Sequence, residues 1–397
     1  MSDPLRGLLD LADRERDRTV GFYRQLVRIP SVWGDAVELT RAAELLESAL
    51  TEAGFAVELA DSGTDGMPMV IARLRGSGGG RSLVFNGHME VYPPSLSWTL
   101  DPFGGELREG SVYGQGAADM KGGTAAMTMA CRLLGLSGVR LRGDIALLAV
   151  PNHFEGGEGT RKAIREGLTA DCAINCEPSG LAVLTGQRGI LYLTITTRGR
   201  AAHTAALDIG VNAIERAAKV IGALGTMVPR DALGRPVEAE KILNVAMIEG
   251  GLKHNLIPES CRLTVDIRFP PEQTQDDVLR DVRDAIAAGL GASGEFPTTV
   301  EPEATCIRNP RSSLRLPDDH PLVRELAAAH ELVTGRPAEL SFHPAWPDTP
   351  IFNELGIPAV TYGPGSMECY WDDEYVDVEE YLTAVRTYCA AALAIAG

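Results

Sequence analysis

The apolar positions of this chain fall into two rhythms, and the change between them divides the sequence. Leu5, Leu8, Leu9 and Leu11, then Val20, Phe22 and Leu26, recur at helical spacing and predict one or two opening helices over 4–28, ended by Pro30. Ala43, Leu45, Leu46 and Leu50 predict an amphipathic helix over 40–53, stopped by Gly54, with a strand from Phe55 to Leu59. Three short apolar runs then appear, at 82–85, 145–150 and 173–175, each of them read as a buried strand. Polar residues follow each run at once: Asn86-Gly87-His88-Met89-Glu90, then Asn152-His153-Phe154-Glu155, then Cys176-Glu177-Pro178. Buried strands that deliver polar residues at their C-terminal ends predict a parallel sheet with a site along that edge. Asp119 comes to the same edge from a Gly-rich turn ahead of a helix predicted over 122–134.

From Ile190 the pattern alternates, as a half-exposed antiparallel strand requires. A helix (211–224), two strands (241–248 and 261–269), a second helix (275–290) and a strand near 297–300 complete a β-α-β-β-α-β order, the ferredoxin-like pattern. The expected organisation is therefore α/β: a mixed sheet between helices, formed by 1–186 and 303–397, with an inserted α+β lid and dimerisation domain at 187–302. The returning segment predicts a helix over 320–333, a strand over 359–362, the turn Gly363-Pro364-Gly365 and a closing helix from Val378. No internal repeat or low-complexity stretch interrupts this.

With 37 basic and 54 acidic residues, the net charge of −17 argues against nucleic acid and anionic membranes as partners. No run approaches 18 apolar residues and the first residues lack an apolar leader core, so neither a membrane span nor export is expected. Seven scattered cysteines, none at zinc-finger spacing, fit reduced thiols and a cytoplasmic location. Imidazole and carboxylate on adjacent strand-end loops suit zinc, which both bind at roughly 2.0–2.2 Å. The plainer alternative for any one pair is a hydrogen-bonded loop histidine and a helix-capping aspartate.

Gly87-His88-x-Glu90-Val91-x-Pro93, then Trp98 and Asp101-Pro102-Phe103, then Gly114-x-Gly116-x-x-Asp119-Met120-Lys121-Gly122-Gly123 decide between these. The combination resembles the co-catalytic zinc deacylase and exopeptidase family, which includes acetylornithine deacetylase, succinyl-diaminopimelate desuccinylase, aminoacylase and carboxypeptidase G. The likeness runs from Ile29-Pro30-Ser31-Val32 to Asp373-Glu374-Tyr375-Val376. It implies metal ligands at His88, Asp119 and Glu177, all present. Alignment on Gly156-Gly157-x-Gly159-Thr160 puts His153 where the family has a general base and Phe154 where it has a ligand. A late histidine ligand is replaced by Tyr370, and the aspartate that orients the first histidine is Glu90. One divalent metal at most, zinc, is the expectation; a register shift that makes Glu155 a ligand is the alternative.

The resemblance also implies that His203, within Gly199-Arg200-Ala201-Ala202-His203, holds the oxyanion of a neighbouring subunit's site, in a homodimer. It implies that Asn255 and Arg268 grip a substrate carboxylate; the plain readings are a capped loop and an Asp266–Arg268 ion pair. Trp346 and Asp348 replace a more polar family segment, and Tyr370 and Trp371 add rings, which suggests a pocket for a flat or apolar group. The expected activity is hydrolysis of an amide or other C–N bond in a small carboxylate-bearing molecule. His153 is expected to handle the proton, oriented by Glu90. A metal-independent acyl transfer, cyclisation or isomerisation, or plain ligand binding, are the competing readings.

Overall fold

The computed structural model describes residues 3–64, 66–237, 242–291, 296–304, 306, 312–343, 345–366 and 371–397. Two compact units account for the chain: Met1–Gly186 with Arg315–Gly397, and Gln187–Leu314. The second unit thus runs past the 302 boundary expected from the sequence, and Cys306 is buried in its core.

In the first unit, neighbouring strands run in the order Ala56–Asp61, Pro68–Leu74, Ile145–Val150, Leu83–His88, Cys172–Asn175, Ala359–Thr361 and Val183–Gln187. The four from Ile145–Val150 to Ala359–Thr361 are parallel, and antiparallel strands flank them on both sides. Burial on both faces explains the uninterrupted apolar runs of the central strands. Val70, Leu83, Phe85, Leu147 and Ile174 enter one core with the helices Asp3–Arg14, Arg16–Val27, Ala36–Glu52, Gly122–Leu136, Pro321–Thr334 and Val378–Ala396. Their chain neighbours Met69, Val84, Leu148 and Ala173 enter a second core, with Ala163 of Glu158–Arg165 and Phe352 of Thr349–Glu354. The alternation is the strand period of two. The helix expected from residue 40 begins at Ala36, because Asp35 caps it by accepting from the Val37 and Glu38 amides at 3.1 Å.

In the second unit, Ile242–Gly250, Ser260–Phe269, Gly189–Arg198 and Thr298–Pro302 form one antiparallel sheet in that order. Helices Ala213–Thr226 and Gln275–Leu290 cover one face through Ala217, Val220, Leu224, Val282 and Ile286. With a small extra strand pair (Ala202–His203 and Leu256–Ile257) set aside, the order and pairing are the ferredoxin-like pattern expected. Among the described residues no helix is long and apolar enough to cross a membrane.

Candidate metal centre

His88 is the last residue of its strand and is 1% exposed. Its amide donates to Met120 Sδ at 3.1 Å, and its carbonyl accepts from Thr124 Oγ1 at 2.7 Å, so the backbone is fixed on both sides. Ring Nδ1 lies 3.0 Å from the Glu90 carbonyl oxygen. A carbonyl only accepts, so Nδ1 carries hydrogen and Nε2 faces the site. There Nε2 lies 3.0 Å from Asp119 Oδ1 and 3.4 Å from Glu177 Oε1.

His153 repeats this arrangement beyond the end of the neighbouring parallel strand. It begins a single 3-10 turn, His153–Glu155, after the strand Ile145–Val150. Its Nδ1 lies 2.8 Å from Asp348 Oδ1, and its Nε2 lies 3.9 Å from Glu177 Oε1. The two imidazoles stack at 4.8 Å with 4° between their planes, and the buried Trp346 ring stacks with His153 at 6.0 Å. Asp348 is held in turn by Thr160 Oγ1. Gly157 makes room for it: a Cβ there would sit 2.5 Å from Asp348 Oδ1, and its φ of +70° is already a glycine conformation. The Gly156-Gly157-x-Gly159-Thr160 motif thus builds the support for His153.

Glu177 follows the strand Cys172–Asn175, and Gly123 lets the adjoining helix close on it: a Cβ there would lie 1.8 Å from the Cys176 carbonyl. Asp119 sits in an irregular turn whose 119–120 peptide is cis. Glu374 secures that turn by accepting from the amides of Gly116, Ala118 and Asp119 at 2.8, 2.7 and 2.8 Å. Burial raises that carboxyl to about 8.

Ligand atoms of His88, His153 and Glu177 lie within 4.8 Å of one another. Asp119 adds a further oxygen at ligand spacing from His88. Burial opposes charge on His88, but Glu90, Glu177 and Asp119 outweigh it and hold the ring well above its ordinary pKa. His153 is likewise raised, burial being outweighed by Asp348. Burial raises Glu177 and Glu90. Buried carboxylates therefore crowd two imidazoles whose Nδ1 positions are taken, and Glu90 Oε2 has no hydrogen-bond partner among the described residues. A divalent cation fits this donor set: two Nε2 atoms and a carboxylate are a known catalytic zinc combination, and tethered Nδ1 atoms are the usual support for histidine ligands.

Expectation and structure differ in the surroundings of His153. His153, expected to act beside the metal, stands within the ligand cluster itself. Asp348, not Glu90, orients His153; the Glu90 carboxylate accepts from the Phe154 amide at 3.1 Å and its carbonyl serves His88. Asp348 is buried, and its oxygens are engaged by His153 and Thr160. Glu155 is exposed and outside the cluster, while Phe154 stacks on Tyr92 at 3.9 Å and meets the His88 ring edge-on at 5.2 Å. Tyr370 lies outside the described residues. The Gly363-Pro364-Gly365 turn is buried, its amides donating to Ser179 Oγ and Glu380 Oε1.

Sequence reasoning missed His343. This ring is 3% exposed, accepts from the Ala345 amide at Nδ1 (3.0 Å), and so carries hydrogen on an Nε2 with no partner among the described residues. Burial lowers it to about 4, against an opposing pull from Asp119. Its neighbour Pro344 lies outside the described residues, and the segment carries no motif that could have flagged it.

In the second unit, His203 Nδ1 accepts from the Ala205 amide at 3.1 Å, and Nε2 lies 3.3 Å from the Asn255 side-chain amide. Arg268 makes a two-pronged pair with Asp266, both contacts 2.9 Å.

Residues 84–394 match the model of peptidase family M20/M25/M40. The chain is 27% identical to an N-formyl-4-amino-5-aminomethyl-2-methylpyrimidine deformylase of Halalkalibacterium halodurans, over 96% of this chain and 95% of the relative. It is 32% identical to a succinyl-diaminopimelate desuccinylase of Methylocella silvestris, over 93% of this chain and 96% of the relative. The fold matches the YXEP protein of Bacillus subtilis, a dinuclear metal-binding peptidase, with a TM-score of 0.71 at 16% identity, covering 96% of this chain and 98% of that one.

Proposed function

The chain belongs to peptidase family M20/M25/M40, and on that footing we propose that it is a deacylase that hydrolyses an amide of a small molecule around one bound zinc ion. The observation that carries the proposal is the convergence of His88 Nε2, His153 Nε2 and Glu177 Oε1, each imidazole tethered at Nδ1. Relatives named for removing a formyl and a succinyl group from nitrogen support a short acyl group as the part cleaved. A metal held by these atoms supplies Lewis-acid polarisation of the scissile carbonyl.

The chain's own residues supply the rest. The Glu90 carbonyl and the Asp348 carboxylate keep the imidazole hydrogens on Nδ1 and aim both Nε2 lone pairs inward. His343, neutral and carrying its hydrogen on Nε2, is a donor for the oxyanion that develops on the carbonyl. Phe154 stands at a position where the family resemblance places a ligand for a second metal, and its ring is stacked on Tyr92 at 3.9 Å, which supports a single ion. A homodimer is part of the same proposal. The strand Ile242–Gly250 is a sheet edge, and it exposes Met247 and Ile248, each more than half accessible.

A second reading rests on the longer His153–Glu177 separation of 3.9 Å against 3.4 Å for His88–Glu177. In it the metal sits on His88, Asp119 and Glu177, and His153 Nε2 accepts the proton of the attacking water. Zinc content separates the two. His153→Ala that loses zinc on dialysis supports ligation; His153→Ala that keeps zinc but loses activity supports proton transfer. A wild-type protein that hydrolyses no N-formyl or N-succinyl amine with zinc supplied would refute the deacylase proposal.

A further inference from the structure

Beside Asp119 lies a cavity of about 390 Å³ lined by Tyr92, Trp98, Gln115, Trp371 and Glu374 as well as Asp119 itself. That is within the range of sites for small organic molecules. Three aromatic rings around one small space, next to the reacting cluster, are unusual in a chain only 6% aromatic.

The frame of this cavity is built. Asp372 accepts from Ser95 Oγ, and Asp373 accepts from the Thr99 hydroxyl and from the Thr99 and Leu100 amides at 2.6, 2.9 and 3.0 Å. The loop carrying Tyr92 and Trp98 is thereby fastened to the one carrying Trp371. Glu374, next in the chain, is fastened to the Asp119 turn. Tyr92 is backed by Phe154 at 3.9 Å and 9°, so its ring is held in one orientation. Four consecutive residues, Trp371-Asp372-Asp373-Glu374, thus join the aromatic wall to the metal cluster.

The polar groups on this lining are the carboxyls of Asp119, Asp372 and Glu374, the Gln115 amide, the Ser95 and Tyr92 hydroxyls and the two indole N–H groups, with no Lys, Arg or His among the described residues. With the Asp119 and Asp372 carboxylates on it and no basic group to offset them, this wall favours a cation over an anion. Of the two products of amide hydrolysis, the acid is an anion and the amine a cation. The amine side is therefore the one this cavity suits.

We infer that this cavity binds the leaving amine of the substrate and that this amine carries a planar ring, stacked among Tyr92, Trp98 and Trp371, with no acidic substituent. The inference rests on the deacylase reading only for which product is the amine; ring binding can be tested without turnover. The probes are benzylamine, cyclohexylmethylamine of the same size but without a flat ring, and 4-(aminomethyl)benzoate, each titrated calorimetrically into the zinc-supplied protein. Benzylamine is expected to bind about 3- to 10-fold more tightly than the cyclohexyl compound, the scale of a ring-stacking preference, and the benzoate more weakly than both. Trp371→Ala, at an exposed position, is expected to erase the ring preference; Trp98→Ala should do the same. Equal binding of all three amines, or a preference untouched by both substitutions, overturns the inference. Failure of N-formylbenzylamine to be hydrolysed while the binding order holds counts against the deacylase reading and leaves the ring site standing.

Discussion

Two groups of residues in this molecule look equally functional by type, and their physical states differ. In the first unit, His88 and His153 have Nδ1 tied and Nε2 turned toward buried acids. In the second unit, Arg268 is neutralised by Asp266 on the same strand, and the His203 ring is paired with Asn255. The first arrangement is incomplete without a cation; in the second the Arg268 charge is already answered, and the unmet group among the described residues is the neutral Asn255 Oδ1. A group whose charge is already answered does little for a ligand unless the ligand displaces the partner. Incompleteness under burial is therefore the better guide to where chemistry occurs.

The sharpest way to break the comparison is to remove the first group. Glu177→Gln or His88→Ala should abolish zinc retention and activity, a loss larger than the about 10–100-fold typical of outer-shell changes. Zinc retained at wild-type levels in both variants would place the metal elsewhere. Asp348→Asn comes next, since it removes the negative charge beside Nδ1 of His153 without touching the cluster: metal affinity or turnover should fall about 10–100-fold, with little change in substrate affinity. An unchanged Asp348→Asn protein would reduce the His153–Asp348 pair to packing.

The second unit gives smaller effects. Light scattering should report twice the chain mass, and Ile248→Asp should shift it toward the monomer; a monomeric wild type would contradict the proposed assembly. Arg268→Ala removes a partly exposed ion pair and should cost at most about 1 kcal/mol of stability, with turnover within a few-fold. A loss of a hundredfold or more in kcat/KM would show that a substrate carboxylate does displace Asp266, and would raise the second unit to the rank of the first.

Much of this was legible in the chain. Ile145–Val150 reads as a buried strand because every side chain in it is apolar, and His88, His153 and Glu177 follow such strands, so their convergence follows from parallel pairing. Helix Gln275–Leu290 is legible from its capping box, Thr274 with Asp277. What was hidden depends on distant contacts. Asp348 reaches His153 across 195 positions, and Glu374 reaches the Asp119 turn across more than 250. Both residues could be singled out in the chain, but nothing near either one says which ring or turn it reaches. His343 was invisible for a related reason: only burial makes its Nε2 significant, and burial of a single histidine in an irregular segment leaves no periodic trace.

The central claim is one metal ion, on His88, His153 and Glu177. Elemental analysis of the purified protein after zinc loading and dialysis tests it most directly. The account predicts one zinc per chain in the wild type and none in the His88→Ala and Glu177→Gln proteins. Two tightly held ions per chain, or none, would contradict it.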